Sequence, residues 1–180
     1  TISSLVVKFA VTIVCVVFIS MSISRSVSLY QNYHAPFEVY KHLEKNELNS
    51  NVNKDLPPTG DVNICVGKEW YRFTSNFFLP HKRFKLQFLK SGFGGQLPKP
   101  YEEVNGTWII PTHMNSYNRE EPSRYIDPSL CHYIVDLQEE GEDRVWSDEE
   151  WETVFQAPFL AAKRSKALFR AFWVPFLSHK

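Results

Sequence analysis

The chain opens with an apolar stretch, Leu5 to Ile23, in which almost every side chain is hydrophobic. Lys8 lies near one end of this stretch and Arg25 closes the other. As an α-helix the stretch would be ~28 Å long, close to the ~30 Å hydrocarbon core of a bilayer. The pattern predicts a transmembrane helix within residues 1–24. A cleaved signal peptide is the alternative, because triplets with small residues at both ends occur near position 22.

A more polar segment follows, first helical and then irregular. Residues 25–45 are predicted to leave the membrane as a helix that is interrupted near Pro36, since proline removes a helical hydrogen bond. Residues 46–60 are rich in asparagine, contain two adjacent prolines and carry few apolar side chains. They predict a surface loop.

The clearest pattern begins at residue 62, where the hydrophobic period changes twice within 30 residues. Apolar and polar residues alternate over positions 62–66, which is the period of a β-strand. A helical spacing then runs from Trp70 to Phe78 and stops before Pro80. Alternation returns over positions 85–88. The order strand, helix, strand predicts a compact βαβ-like unit.

Two more strands and a long loop are predicted after this unit. Residues 107–110 read as a short strand that Pro111 ends, and residues 132–137 alternate as a further strand. Residues 112–130 between them are polar and form a long loop. The resulting fold class is α/β: one transmembrane helix followed by a small mixed α/β domain.

The last part of the chain is acidic at first and basic afterwards. Ser147 and Glu150 have the spacing of a capping box and predict a short helix through Phe155. Between residues 163 and 173, basic and apolar side chains interleave. This pattern is typical of an amphipathic element with its charges in water, and it also suits contact with an anionic headgroup or a pyrophosphate.

Composition narrows the class of protein. The net charge is zero and the pI is near 7, so no basic surplus indicates binding to nucleic acid. Neither a Cys-x-x-Cys nor a His-x-x-x-His pair is present, which gives no support for a metal site or a metal cofactor. The chain also lacks the Gly-x-Ser-x-Gly elbow of serine hydrolases.

Two kinds of covalent modification are open to the chain. Cys65 and Cys131 each lie on or beside a predicted strand, and they would be able to pair in an oxidising compartment or remain free and buried. Asn105 begins the sequon Asn105-Gly106-Thr107, which would accept a glycan if it faced the lumen.

Candidate binding residues fall in the βαβ-like unit and in the long loop: Trp70, His113, Asn115, Arg124 and Tyr125. Flat rings stack on sugars, and a guanidinium forms two hydrogen bonds with a phosphate or a diol. The alternative places Trp70 in the core and makes Arg124 an internal clamp on the loop.

Five sequence blocks resemble one known family. They are N-I-C-V-G-K-E-W-Y-R-F with G-Q-L-P-K-P, E-P-S-R-Y-I-D (121–127), C-H-Y-I-V-D-L (131–137) and R-A-F-W-V-P-F-L (170–177). The blocks occur in order, and they resemble the endoplasmic-reticulum α-1,2-mannosyltransferases of asparagine-linked glycosylation. The resemblance spans most of the chain from about Arg25 onward.

The resemblance implies a multi-spanning glycosyltransferase of the GT-C type. It implies mannose transfer from dolichyl phosphate mannose to a dolichyl-pyrophosphate oligosaccharide, with residues 1–24 as the last transmembrane helix and 25–180 as a lumenal C-terminal domain of the endoplasmic reticulum. The family's catalytic carboxylate has no match here, so the catalytic residue is unknown and this part is expected to be inactive alone. A single-pass or secreted, non-enzymatic binding domain is the alternative.

Overall fold

The computed structural model describes residues 2–49, 56–68, 75–138, 146–147 and 149–178. The chain divides into two compact units. The helical unit consists of Thr1–Glu38 and Gln156–Lys180, and the sheet unit consists of Val39–Phe155.

A single long helix, α1 (Ile2–Tyr33), forms most of the helical unit. Its apolar side chains face outward, as at Phe18, which is 70% exposed. The hydroxyl of Thr12 donates to the Lys8 carbonyl oxygen at 2.9 Å, so a polar group within the apolar run is satisfied by the helix itself. In the described part of the chain this is the one helix long and apolar enough to cross a membrane.

Helix α1 extends beyond the predicted apolar run and ends at Tyr33, close to the interruption predicted near Pro36. A second helix, α2 (Ala35–His42), starts two residues after Tyr33, and the Phe37 N–H donates to the His34 carbonyl at 2.9 Å. Pro36 therefore stands in the first turn of α2, where its missing N–H costs nothing. A short π-helix, Leu43–Glu47, follows α2 within the sheet unit.

The return segment (residues 156–178) is attached to α1 through its own backbone groups, which form hydrogen bonds with serine side chains and a backbone carbonyl of α1. The Ser24 hydroxyl donates to the Trp173 carbonyl at 2.7 Å, and the Trp173 N–H donates to the Ser24 carbonyl at 3.1 Å. One turn further along α1, the Ser28 hydroxyl donates to the Arg170 carbonyl at 3.1 Å. The interleaved basic pattern contains one short helix, α3 (Ala167–Ala171), at this contact.

Three parallel strands form the sheet in the order β2-β1-β3: β1 (Val62–Val66), β2 (Phe84–Phe88) and β3 (Tyr133–Val135). Val62 pairs with Phe84, and Ile64 pairs with Tyr133. The alternating patterns therefore predicted these strands correctly. The predicted helix lies partly outside the described residues, and its end, Ser75–Phe78, is a 3₁₀-helix.

Two core clusters line the face of the sheet that carries Val62, Ile64 and Val66, because alternate residues of a strand point to one side. One cluster combines the chain before the sheet with strand residues: Tyr40, Leu43, Leu48, Val62, Ile64, Phe84 and Val135. A second cluster contains Val66, Phe88 and Leu97. Each fully buried side chain of this size contributes about 1.5–3 kcal/mol to folding. Leu48 lies in the segment predicted to be a surface loop, so the beginning of that prediction is wrong.

Two local predictions are also wrong. Residues 107–110 do not form a strand: Asn105 adopts a left-handed conformation (φ 55°) and starts a 3₁₀-helix, Gly106–Trp108. Ile110 is 82% exposed, so no sheet packs against it. The capping-box helix is reduced to a turn at Glu150, and Phe155 instead stacks on the His42 ring at 4.3 Å.

Candidate functional site

A disulfide joins Cys65 in the middle of the sheet to Cys131, two residues before β3. The Cα atoms are 5.9 Å apart, and the two residues are 66 positions apart in sequence. Cys65 is fully buried. The bond therefore links the central strand to the end of the long loop, and it fixes the position from which β3 starts.

Polar groups converge where β1 and β3 end. Asp136 follows β3, and one of its carboxylate oxygens accepts hydrogen bonds from the Lys68 N–H at 3.0 Å and from the Leu137 N–H at 2.9 Å. The other oxygen accepts from the Trp146 ring N–H at 3.4 Å. Ligand sites of open parallel sheets lie at this edge. Here the carboxylate is occupied by protein donors, so it holds the two strand ends together.

Gly67 makes this close approach possible. A Cβ atom at position 67 would lie 2.6 Å from the carboxylate carbon of Asp136. The sequence blocks contain both residues, but their proximity depends on the β1–β3 pairing and could not be read from the pattern alone. Trp70, the candidate that follows closely in the chain, lies outside the described residues.

Arg124 is buried within the long loop. Its side chain is 8% exposed, and one guanidinium nitrogen donates to the Thr112 carbonyl at 2.7 Å. A 3₁₀-helix, Pro122–Arg124, carries it, and the Glu121 carboxylate caps that helix by accepting from the Ser123 N–H. Hydrogen bonds from the Ser123 side chain and, second, from the Ser123 N–H lower the pKa of Glu121. The geometry matches the internal clamp that was the alternative for Arg124.

Tyr125 also points inward. Its hydroxyl donates to the Glu120 carboxylate at 2.7 Å, and its ring packs beside Phe93 and the second core cluster. Lys90 forms an ion pair with Glu120 and lies 5.3 Å from the centre of the Tyr125 ring. Burial, followed by the hydrogen bond to Glu120, raises the pKa of Tyr125 to about 12. The hydrogen bond from Lys90 is the main cause of the lowered pKa of Glu120.

Asn115 organises the outer turn of the loop. Its side-chain oxygen accepts from the Tyr117 N–H at 3.1 Å and the Arg119 N–H at 2.9 Å, and its amide donates to the Arg119 carbonyl at 3.0 Å. His113 adopts a left-handed conformation (φ 64°), and its carbonyl accepts from the Gln96 amide at 3.0 Å. The side chain of His113 is exposed.

The four loop candidates thus share one structured loop, but they do not present one common surface. Arg124, Tyr125 and Asn115 use their polar groups inside the loop, whereas His113 faces outward. Sequence reasoning missed two outward side chains: Tyr117 is 75% exposed, and the Arg119 guanidinium lies over its ring at 5.0 Å. The turn-forming composition around Asn115 was the available signal for them.

The sequon is accessible. Asn105 and Thr107 are both exposed, and the Asn105 side chain makes no capping hydrogen bond to the following 3₁₀-helix. Among the described residues, no group of three His, Cys, Asp or Glu side chains is arranged to hold a metal ion.

Comparison with known proteins places this chain near one group of enzymes. Residues 1–80 match the model of the Alg9-like mannosyltransferase family. The chain is 49% identical to alpha-1,2-mannosyltransferase ALG9 of Mus musculus over 88% of its length and 26% of that relative. It is 37% identical to alpha-1,2-mannosyltransferase alg9 of Schizosaccharomyces pombe over 97% of its length and 31% of that relative. The resemblance predicted from the sequence is confirmed.

The chain spans about a quarter to a third of the length of these relatives. No solved structure shows significant similarity to it.

Proposed function

We propose that this chain is part of an α-1,2-mannosyltransferase of protein N-glycosylation. The proposal is based on its similarity to the Alg9-like mannosyltransferase family. The donor is dolichyl phosphate mannose and the acceptor is a dolichyl-pyrophosphate oligosaccharide in the membrane of the endoplasmic reticulum. The observation that carries this proposal is the 49% identity over 88% of the chain.

Two structural features support the location. Helix α1 has the length and the apolar surface for a membrane, which suits an enzyme whose substrates are both lipid-linked. The Cys65–Cys131 disulfide suits an oxidising compartment such as the lumen of the endoplasmic reticulum. In our proposal the sheet unit is lumenal, and the exposed Asn105 can carry a glycan there.

We assign the sheet unit a role in holding the acceptor, and we assign no catalytic residue to it. His113 contacts the acceptor together with Tyr117 and Arg119, because these side chains face outward on one loop. Arg124, Tyr125 and Asn115 position that loop from within. Trp70, which lies outside the described residues, remains a proposed contact.

The transferase activity is tested by removing the protein that contains this chain from cells and analysing their lipid-linked oligosaccharides. We expect shortened oligosaccharides that lack α-1,2-linked mannose, and restoration by the intact protein. An unchanged oligosaccharide profile would contradict the proposal and favour the alternative, a non-enzymatic binding domain.

The lumenal location is tested separately. The gel mobility of the chain in sealed microsomes is compared before and after endoglycosidase H, with Asn105→Gln as the matched control. We expect a glycan on the native chain and none on the variant. Digestion of the sheet unit by a protease added to the cytosolic side would contradict the lumenal location.

A further inference from the structure

The helical unit contains a groove of about 400 Å³ between α1 and α3, lined by Arg25, Leu29 and Tyr33 from α1 and by Ala167, Arg170 and Ala171 from α3. The three α1 residues are spaced four apart, so they share one face of the helix. Ala167 and Ala171 have small side chains, so the α3 side of the groove leaves space above it. The groove is therefore apolar along its sides and carries two guanidinium groups.

Hydrogen bonds fix the two walls against each other. The Ser28 hydroxyl, 1% exposed as a residue, donates to the Arg170 carbonyl and accepts from the Asn32 amide at 3.0 Å. The Ser24 pairing with Trp173 holds the next turn of chain. The hydrogen bonds that hold Arg170 in place use its backbone carbonyl and N–H. Because they do not involve the guanidinium, the side chain can contact a ligand.

Neither guanidinium is neutralised within the described part of the helical unit. No carboxylate oxygen of the described residues forms an ion pair with Arg25 or Arg170. The unit contains a single carboxylate, Glu38, which pairs with the His34 ring at 2.8 Å. Two arginines that share a groove without a carboxylate produce a local field that attracts an anion.

The position of the groove indicates which anion. Arg25 follows directly on the apolar run of α1, where a membrane-crossing helix enters the headgroup layer. Tyr33, about two helical turns beyond Arg25, lines the far end of the groove. The phosphate of a membrane lipid lies in this headgroup layer, whereas nothing ties the site of a soluble anion to the end of a membrane-length helix.

We propose that this groove binds the phosphate of an anionic membrane lipid, with Arg25 and Arg170 as its ligands. Each guanidinium offers paired N–H donors that match two phosphate oxygens. The phosphate ester of a glycerophospholipid and that of a polyprenyl phosphate share this chemistry. The proposal requires that α1 lies in a membrane, and it does not depend on the transferase activity.

The test is native mass spectrometry of the full chain in detergent micelles with added phosphatidylinositol, polyprenyl phosphate or inorganic phosphate. For at least one of the two lipids we expect an affinity at least about ten-fold higher than in the variant Arg25→Gln with Arg170→Gln. The lipid that shows this difference identifies the source of the phosphate. Equal binding of inorganic phosphate and both lipids would overturn the assignment to a lipid.

A matched control removes two charges outside the groove. Lys163→Gln with Lys166→Gln alters exposed lysines of the same return segment, and we expect lipid affinity within about two-fold of the native chain. An equal loss in both double variants would show a diffuse basic surface and overturn the proposal. So would native affinity in the arginine variant.

Lysine replacements test the geometry. Arg25→Lys with Arg170→Lys keeps both charges but loses the paired donors, so we expect affinity between those of the native chain and the glutamine variant. Native affinity in the lysine variant would overturn the paired-donor arrangement. Circular dichroism measures the helical content of each variant. Unchanged helical content shows that a loss of lipid affinity is not caused by unfolding.

Discussion

The helical unit and the sheet unit differ in charge and in what holds them together. Thr1–Glu38 and Gln156–Lys180 contain seven Lys and Arg residues and one carboxylate, whereas Val39–Phe155 contains 13 Lys and Arg and 19 Asp and Glu. The near-neutral total therefore conceals a basic unit and an acidic unit. Basic charge next to a membrane-length helix attracts the anionic headgroups of lipids.

The forces that stabilise the two units differ as well. In the helical unit, hydroxyl groups of an apolar helix bind backbone carbonyls of the return segment. In the sheet unit, buried aliphatic and aromatic side chains pack on a parallel sheet, and a disulfide closes a long loop. A perturbation aimed at one mechanism should therefore leave the other unit intact, which makes the comparison testable.

The largest effect is expected from the disulfide. Closing a loop of 66 residues stabilises a fold by about 4 kcal/mol in the chain-entropy model. Cys65→Ala with Cys131→Ala should lower the free energy of unfolding of the sheet unit by about this amount and leave hydrogen exchange in α1 unchanged. Each single variant should lose a similar amount, because either one breaks the bond. Native stability in all three variants would contradict this role.

A smaller effect is expected at the strand ends. Gly67→Ala places a methyl group against the Asp136 carboxylate and should cost about 1–3 kcal/mol in the free energy of unfolding of the sheet unit. Gly92→Ala is the matched control, since no atom lies within 4 Å of its new Cβ, and it should change stability by less than about 1 kcal/mol. Denaturant unfolding measures both. Equal costs would show that Asp136 does not limit position 67.

The helical unit should respond to the loss of one hydroxyl. Ser28→Ala removes the donor to the Arg170 carbonyl and should cost about 1 kcal/mol in the opening free energy of the return segment. Ser26→Ala is the control, because its exposed hydroxyl bonds only to Ser22 within α1. Hydrogen exchange of residues 168–173 reports the difference. Faster exchange in the sheet unit instead would contradict the separation of the two units.

The smallest effect is a pH dependence confined to the loop of the sheet unit. Hydrogen bonds lower the pKa of Glu120, Glu121 and Asp127, so their stabilisation is present above their unfolded pKa values and is lost as the pH falls through the folded ones. Tyr125 has a raised pKa of about 12, so its contribution is present below pH ~10 and is lost as the pH rises through 12.

Hydrogen exchange across residues 112–130 between pH 3 and 7, corrected for the intrinsic rates, should show this loss at the acid end. Glu120→Gln should reduce the acid sensitivity and lower the pKa of Tyr125, as measured by ultraviolet titration against Tyr125→Phe. An unchanged Tyr125 titration in Glu120→Gln would contradict the hydrogen bond between them.

The sequence predicted those helices and strands that are determined by the local spacing of hydrophobic residues. Alternation located β1 and β2, and apolar length located α1, because each depends on side chains within one short window. The segment at 107–110 has an equally strong apolar pattern, but the left-handed Asn105 turns the chain before it can pair. Local pattern carries no information on whether a neighbouring strand is available.

The candidate site shows the same limit. Residue type alone selected Arg124 and Tyr125 as contacts, and their partners, Thr112 and Glu120, then proved to lie within the same loop. The outward pair Tyr117 and Arg119 was missed, because exposure is a property of the folded loop. Whether the disulfide forms also depends on strand pairing, which the spacing of the two cysteines does not reveal.

The most direct test of the account is a kinetic measurement on the full-length protein that contains this chain. Arg124→Ala releases the loop from Thr112, and Lys82→Ala removes an exposed charge elsewhere in the sheet unit as the control. Mannose transfer from dolichyl phosphate mannose is measured against acceptor concentration, after thermal unfolding has shown that both variants fold, and Arg124→Lys tests partial rescue.

If the sheet unit holds the acceptor, Arg124→Ala should raise the acceptor KM by about ten-fold or more with kcat nearly unchanged, and the Lys82 control should match the native enzyme. A fall in kcat with an unchanged KM would show that the chemistry depends on this loop, and it would contradict the proposed binding role.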